Sequence, residues 1–449
     1  MQESPEQQST EREVPERGPV ASRRYANYVL GLLFVVYTFN FIDRQILSIL
    51  LEDIKTELGV SDTAMGFLTG IAFAAFYTVA GIPIARWADV GVRRSIIALG
   101  LAVWSAMTAL SGVVQSFTQL VGARIGVGVG EAAGSPPAHS IIADYFPPER
   151  RATALSIYNM GINVGILFGF LAGGWINEFF GWRAAFFVVG LPGLALALLV
   201  RFTIREPPRG ASEGTVTDEP PEATAVVFRF LWSLRSFRHL AIAGGLHAFT
   251  GYGLAQWSPT FLRRVHEFGS GEAGTYLGLI IGLGGIAGSL LGGVLADRLS
   301  IRDKRWYLWV PAISSVLTLP FIAGFLLFDS PALALVTYIP AVVFGAMWLG
   351  SCLAITQAMV KLRMRAMASA ILILVLNLIG LGLGPQAVGI MNDLLAPSLG
   401  DEAIRYSLLL ATLMTAWAAV HFALAARSLR EDLEAKNRMP DAAGAPVTD

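Results

Sequence analysis

Apolar positions along the chain come in long uninterrupted blocks rather than in the short periods of a soluble fold. The blocks fall at roughly 27–51, 62–88, 95–114, 119–145, 152–179, 183–203, 238–263, 272–296, 306–328, 332–360, 366–392 and 403–428. Each is near or above the roughly 20 residues that a helix needs to cross a bilayer. Runs this long predict helices, because barrel strands are shorter and alternate in polarity. The segment 205–224, with Pro207, Pro208, Pro220, Pro221 and several acids, separates six blocks from six and reads as a flexible linker. The pattern therefore predicts an all-α membrane protein of twelve transmembrane helices in two six-helix bundles, 25–204 and 238–429. The linker, 205–237, holds a stretch (226–238) in which arginines alternate with aromatics. This fits a short helix in the membrane interface, or an extension of the seventh span. Residues 1–24 lack the apolar core of a signal peptide. They and residues 430–449 read as disordered tails.

Composition agrees. Of 449 residues, 54% are hydrophobic and 15% charged, with a mean hydropathy of +0.58, whereas soluble domains carry about 25% charged residues. The net charge of zero gives no attraction to nucleic acid. Cys352 is the single cysteine, so no internal disulfide forms, and no Cys/His cluster has the spacing of a metal site. Neither a phosphate loop nor a nucleophile–base arrangement is visible. The run Gly126-x-Gly-x-Gly130 lies inside an apolar helix, not between a strand and a helix. An enzyme is not expected, and no cofactor is implied.

Lysine and arginine set the expected orientation. Both tails and the even-numbered loops hold most of them, so both termini are expected in the cytoplasm, with the chain in a bacterial inner membrane. Arg263-Arg264, on an outer loop, runs against this rule.

The two halves also look like a repeat. Asp89, followed by Arg93 and Arg94, ends span 2, and Asp297-Arg298 ends span 8, 208 positions later. An acid at such an end can accept from a neighbouring helix N-terminus or pair with arginine, which makes these five residues a candidate cytoplasmic gate. Gly161, Gly165, Gly169 and Gly173 form a ladder on span 5, and Gly380 and Gly384 mark span 11. Such ladders serve a tight static interface and a sliding contact between rocking bundles equally well. A chain with its own twofold repeat has no need of a ring of subunits, so a monomer is expected.

The chemistry is concentrated in spans 1 and 4. Asp43-Arg44 interrupts the apolar run of span 1, where ionisable groups are expensive and rarely face lipid. Arg124 and Glu131 are seven residues apart on span 4, nearly two turns, on one face and about 10 Å apart. The four groups are together neutral, and pairing limits their desolvation cost. A carboxylate in a low-dielectric cavity is driven toward its neutral form, while a nearby arginine holds it charged. Asp43 and Glu131 are thus candidate proton-coupling residues, with Arg44 and Arg124 as charge partners or substrate contacts. A static salt-bridge network is the alternative, and for Arg124 it has equal standing. In the second half, His247, Tyr252, Gln256, Trp257 and Asn377 are cavity candidates. The interior of its spans offers no acid, Asp297 lying at an end, so its cavity wall is expected to be mainly apolar.

Twelve spans, a central linker and the repeated Gly-x-x-x-Asp-Arg signature resemble the major facilitator superfamily. The copy after span 2 departs from that signature, with Ala85 for its first glycine and Val90 for the arginine after Asp89. Asn40-Phe-Ile-Asp43-Arg44, with Arg124-Ile-Gly-Val-Gly128-Val-Gly130-Glu131-Ala and Ile141-Ile-Ala-Asp144, is similar to the Spinster branch, whose members are associated with sphingolipids and lysophospholipids. Gly134-Ser-Pro-Pro137 departs from the polar, aromatic stretch of animal members. The resemblance implies the major facilitator fold with spans 1 and 4 lining its cavity. It also implies alternating-access, proton-coupled transport of an amphiphilic, lipid-like substrate, with protons and membrane lipid as the other partners. Related bacterial branches imply a small organic anion or sugar acid instead.

Overall fold

The computed structural model describes residues 22–210, 224–361 and 364–435. Most of both expected tails and the middle of the linker lie outside them. Eight continuous helical stretches are long and apolar enough to cross a membrane. Two of them, Pro148–Thr203 and Arg365–Glu434, each contain two spans. The first turns at Gly181, whose φ of 79° only glycine adopts without strain, and the second turns at Gly400. The spans that complete the twelve are the fourth, Phe117–Glu131 continued by Ser135–Tyr145, and the seventh, Arg235–Val265. These are the spans whose polar residues interrupt the apolar pattern.

Local signals set the ends. Span 1, Arg23–Leu58, starts where the Ser22 side chain accepts from the Tyr25 N–H and stops at Gly59, in the left-handed region. Span 2, Asp62–Val90, is capped by the Ser61 side chain. The linker carries a separate helix, Thr224–Ser233, and Leu234 has an extended backbone before span 7 begins. This helix buries Val227 and Leu231 and exposes Val226, Phe228 and Trp232.

The glycine ladders flagged in the sequence lie within bundles. A Cβ on Gly165 would sit 2.6 Å from the Thr38 carbonyl oxygen, and one on Gly169 would sit 2.8 Å from Gln45 Cβ, so span 5 rests on span 1 around Asp43-Arg44. Gly384 packs in the same way on Phe249 of span 7. The seams between bundles use other glycines. Span 8, Ser270–Ser300, meets span 5 where a Cβ on Gly274 would lie 2.3 Å from the Phe170 carbonyl oxygen. Span 2 meets span 11, Arg365–Leu399, where a Cβ on Gly70 would lie 2.6 Å from the Gly382 carbonyl oxygen. Backbones this close hold the halves together with little side-chain interlock.

At the end of the molecule away from the linker, carboxylates reinforce both seams. Asp393 of span 11 accepts from the Asp62 and Thr63 N–H groups at the start of span 2, at 3.1 and 2.7 Å. Glu178 of span 5 accepts from the Gly271 N–H at the start of span 8, at 2.6 Å. Each acid satisfies orphan donors of a helix N-terminus across the bundle interface. Arg263 there makes a two-pronged pair with Asp53, while Arg264 binds Glu52 and Asp62. The arginine pair that broke the orientation rule is thus neutralised by span 1 and the start of span 2.

Candidate functional site

Span 1 delivers Asp43 and Arg44 to one level of the first bundle, where they point to different partners. Arg124 Nη1 donates to Asp43 Oδ1 at 2.8 Å, and the Thr108 hydroxyl donates to Asp43 Oδ2. Arg44 Nε donates to Glu131 Oε2 at 2.6 Å. Asp43, Arg124 and Glu131 are at most 2% exposed, whereas the Arg44 side chain keeps 16%. The Arg44 guanidinium also lies about 5 Å from the ring centres of Phe41, Phe73 and Tyr77. Three π faces and one carboxylate hold this cation without a second acid.

Span 4 is shaped for its part. Its first helix ends at Glu131 and a new one begins at Ser135, with Pro136 and Pro137 in the first turn. Proline lacks an N–H and is best suited to a first turn, so the Gly134-Ser-Pro-Pro137 stretch favours a break beside Glu131. A Cβ on Gly130 would lie 2.7 Å from the Trp104 backbone nitrogen, so glycine lets span 3 approach and bring Thr108 to Asp43. Thr108 escaped the sequence reading, because a threonine within an apolar span carries no signal that separates a ligand to a carboxylate from ordinary helix contact. Glu131 Oε1 and Arg124 Nε are buried with no hydrogen-bond partner, so the quartet holds spare donor and acceptor capacity.

One cavity adjoins the quartet, and a second shares part of its lining with the first. The smaller, about 90 Å³, is lined by Arg44, Arg124, Phe73 and Gln256 among others. The larger, about 330 Å³, is mainly apolar and lies mostly within the second bundle, against His247, Tyr338, Val342 and Trp348. Its polar groups are largely occupied by protein. His247 bonds to Ser315 Oγ and to the Gly345 carbonyl, Thr250 donates to the Ala411 carbonyl, and Tyr338 pairs with Ser258. The Gly345 carbonyl can only accept, so His247 carries its proton on Nε2. It thereby caps the break in span 10 between Pro331–Gly345 and Leu349–Ala358.

Of the second-half candidates, His247, Tyr252 and Gln256 line these cavities. Trp257 and Asn377 line neither. Trp257 is fully buried and donates to the Pro385 carbonyl, joining span 7 to span 11. Asn377 opens a π-helical stretch, Asn377–Leu383, in span 11. Gln256 receives a hydrogen bond from Ser48 of span 1, so it also ties the bundles together.

Of the gate residues at the linker end, Arg93, Arg94 and Asp297 are engaged within their own bundles. Arg93 is buried among Asp144, Glu206, Ser140 and the Pro207 carbonyl, and Arg94 bonds to Glu206 and the Ile204 carbonyl. Together they clamp the start of the linker onto the first bundle. Asp89 and Arg298 are exposed, and Asp297 accepts from the Tyr307 hydroxyl. Among the described residues, no group of three or more His, Cys, Asp or Glu side chains could hold a metal ion.

Comparison with known proteins agrees with this architecture. Residues 33–385 match the family model described as Major Facilitator Superfamily. An MFS-type efflux pump of Mycolicibacterium smegmatis is 35% identical over 91% of this chain and 95% of its own. A probable galactarate/D-glucarate transporter of Bacillus subtilis is 26% identical over 67% and 69%. The crystal structure of a bacterial homologue of the human lysosomal transporter Spinster, inward-facing and unoccupied, superposes with a TM-score of 0.85 at 32% identity, covering 92% of this chain and 99% of that one. A paired ionic core, twelve helices in two bundles and these matches over nearly the full length lead to one assignment: the chain belongs to the Major Facilitator Superfamily, as a Spinster-like multi-pass membrane transporter and not an enzyme.

Proposed function

We propose that this transporter is a proton-coupled carrier of an amphiphilic substrate of the lysophospholipid or sphingoid type, working by alternating access. The observation that carries the reading is the adjacency of two unlike cavities that share part of their lining. An arginine-bearing ionic pocket lies beside a larger apolar one, and a charged headgroup with an apolar chain fits that pairing. Arg44 is the headgroup contact, because it alone of the quartet keeps exposed surface and has a single carboxylate partner. An anionic headgroup arriving at Arg44 competes with Glu131, whose other oxygen already lacks a donor. Glu131 is then left to take up a proton, and Asp43 follows as Arg124 changes partners. Substrate and proton are coupled through a shared arginine.

The far-end seams and the likeness to an inward-facing structure support a state sealed on the outer side. The arginine-rich loops support cytoplasmic termini and placement in a bacterial inner membrane. In the opposite state, Asp89, Arg93, Arg94, Asp297 and Arg298 form the inner gate. A sugar acid or another small organic anion is the second reading, favoured by the Bacillus subtilis relative. Uptake into proteoliposomes under an imposed pH gradient separates the possibilities. Glu131→Gln and Asp43→Asn are expected to lose gradient-driven uptake. Normal transport with unchanged pH dependence in both variants overturns the coupling scheme. Saturable exchange of galactarate without response to any lysolipid moves the assignment to organic anions.

A further inference from the structure

Four residues line both cavities: Ile166 of span 5, Tyr252 and Ala255 of span 7, and Ile281 of span 8. All four are half-buried, as cavity walls are. Three belong to the second bundle and one to the first, so the wall the two cavities share spans the bundle interface. The two isoleucines sit on the seam where span 8 meets span 5. Next to them, a Cβ on Gly282 would lie 3.0 Å from Leu167 Cβ, and one on Gly285 would lie 2.8 Å from Asn163 Oδ1. Whether the two cavities communicate therefore depends on how closely these two spans approach.

We propose that Ile166, Tyr252, Ala255 and Ile281 form a neck that selects substrates by their apolar chain. This rests on the amphiphile reading above and adds the element that would discriminate. A substrate whose headgroup lies at Arg44 reaches the apolar cavity only through this neck. A chain too short to pass gains nothing from the larger cavity. A chain that passes buries its methylenes, each worth about 0.8 kcal/mol when fully removed from water. Ala255 is the narrowest side chain of the four and so sets the free cross-section on span 7. The neck also links selection to movement. A threaded chain occupies the seam between spans 5 and 8 and so opposes any sliding of those spans past one another. Headgroup binding is thereby distinguished from productive loading.

The test uses the full-length protein in proteoliposomes, with palmitoyl lysophosphatidate, butyryl lysophosphatidate and galactarate as competitors in counterflow. Ala255→Leu narrows the neck and Ile281→Ala widens it. The expected result is that Ala255→Leu lowers the ratio of palmitoyl to butyryl affinity at least about tenfold, the scale on which pocket shape discriminates apolar groups. Ile281→Ala is expected to move the ratio the other way or to admit a branched chain that the wild type rejects. If the wild type prefers the palmitoyl probe and neither variant changes the ratio, the neck is overturned while the amphiphile reading stands. If the wild type binds galactarate and neither lysolipid, the amphiphile reading falls and the neck falls with it. Should Ala255→Leu fail to fold, Ile281→Ala alone decides.

Discussion

Where the first bundle places Asp43 and Arg44 on span 1, the second places Gly251 and Tyr252 on span 7, at the offset of 208 that also separates the bonded pair Ser48 and Gln256. Where span 4 ends its first helix on Glu131, span 10 breaks at Gly345 and offers a backbone carbonyl to His247. The backbone plan is repeated and the chemistry is not. One half holds two interlocked ion pairs, and the other holds neutral hydrogen bonds around an apolar space. Buried charge must be matched locally, so concentrating it in one bundle keeps the pairs short and leaves the other bundle free to present an apolar wall. The two ends of the molecule differ as well. Away from the linker, carboxylates and arginines cross between bundles, whereas at the linker end Arg93, Arg94 and Asp297 bind within their own.

This division can be attacked where it is deepest. Arg124→Ala strands Asp43 in a dry site with only Thr108 for company, and removing one member of a buried pair costs about 3–5 kcal/mol. A large fall in the thermal unfolding midpoint is expected, and adding Asp43→Asn should recover much of it, because the stranded charge is then gone. Equal loss in the single and double variants would mean that the pair is not the unit of stability. Next comes the seal at the far end. Arg264→Ala removes bonds to Glu52 and Asp62 that join the bundles. A coupling of roughly 1–3 kcal/mol corresponds to a population shift of about fivefold or more. With Cys352 replaced and Leu47→Cys as the reporter in the smaller cavity, an impermeant thiol reagent applied from the far side should react correspondingly faster. The smallest effect lies at the linker end, where the bonds from Arg305 hold the Asp303 carboxyl well below the usual carboxylate range. A depressed value stabilises the folded state above the unfolded carboxylate range, and that contribution is lost as pH falls through the folded value. The group is half-buried at the surface among exposed arginine side chains, so solvent screening leaves little of it. Asp303→Asn should barely move the melting midpoint near neutrality, and the difference from wild type should vanish in acid.

Much of the ionic core was legible in the chain. Asp43, Arg44, Arg124 and Glu131 are conspicuous because charge within an apolar run has so few reasons to be there. Their division into Arg124–Asp43 and Arg44–Glu131 was not, since spacing along a helix fixes the face and not the rotamer. Thr108, the aromatic cage around Arg44, and Asp393 and Glu178 were also hidden. Each acts on a helix distant in sequence, and none is an unusual residue where it stands. The glycine ladders were read equally as tight static interfaces and as sliding contacts, and they pack span 5 on span 1 and span 11 on span 7 within each bundle. The seams between bundles rest on Gly274 and Gly70 instead. Trp257 looked like a cavity residue by its neighbours and turned out to join two helices through the Pro385 carbonyl.

The sequence by itself determined the twelve spans, their division into two sixes and the four buried charges. Water, lipid and the backbone leave an apolar run of that length only one arrangement, and buried charges only a few neighbours. The tertiary structure alone decided which charge meets which, which glycines separate the bundles, and that an apolar cavity in the second half shares a wall with the ionic pocket of the first. Those are properties of distance between segments far apart in the chain. No local pattern encodes them, because the same glycine, threonine or isoleucine serves equally well in a static core, at a moving seam or in the wall of a passage.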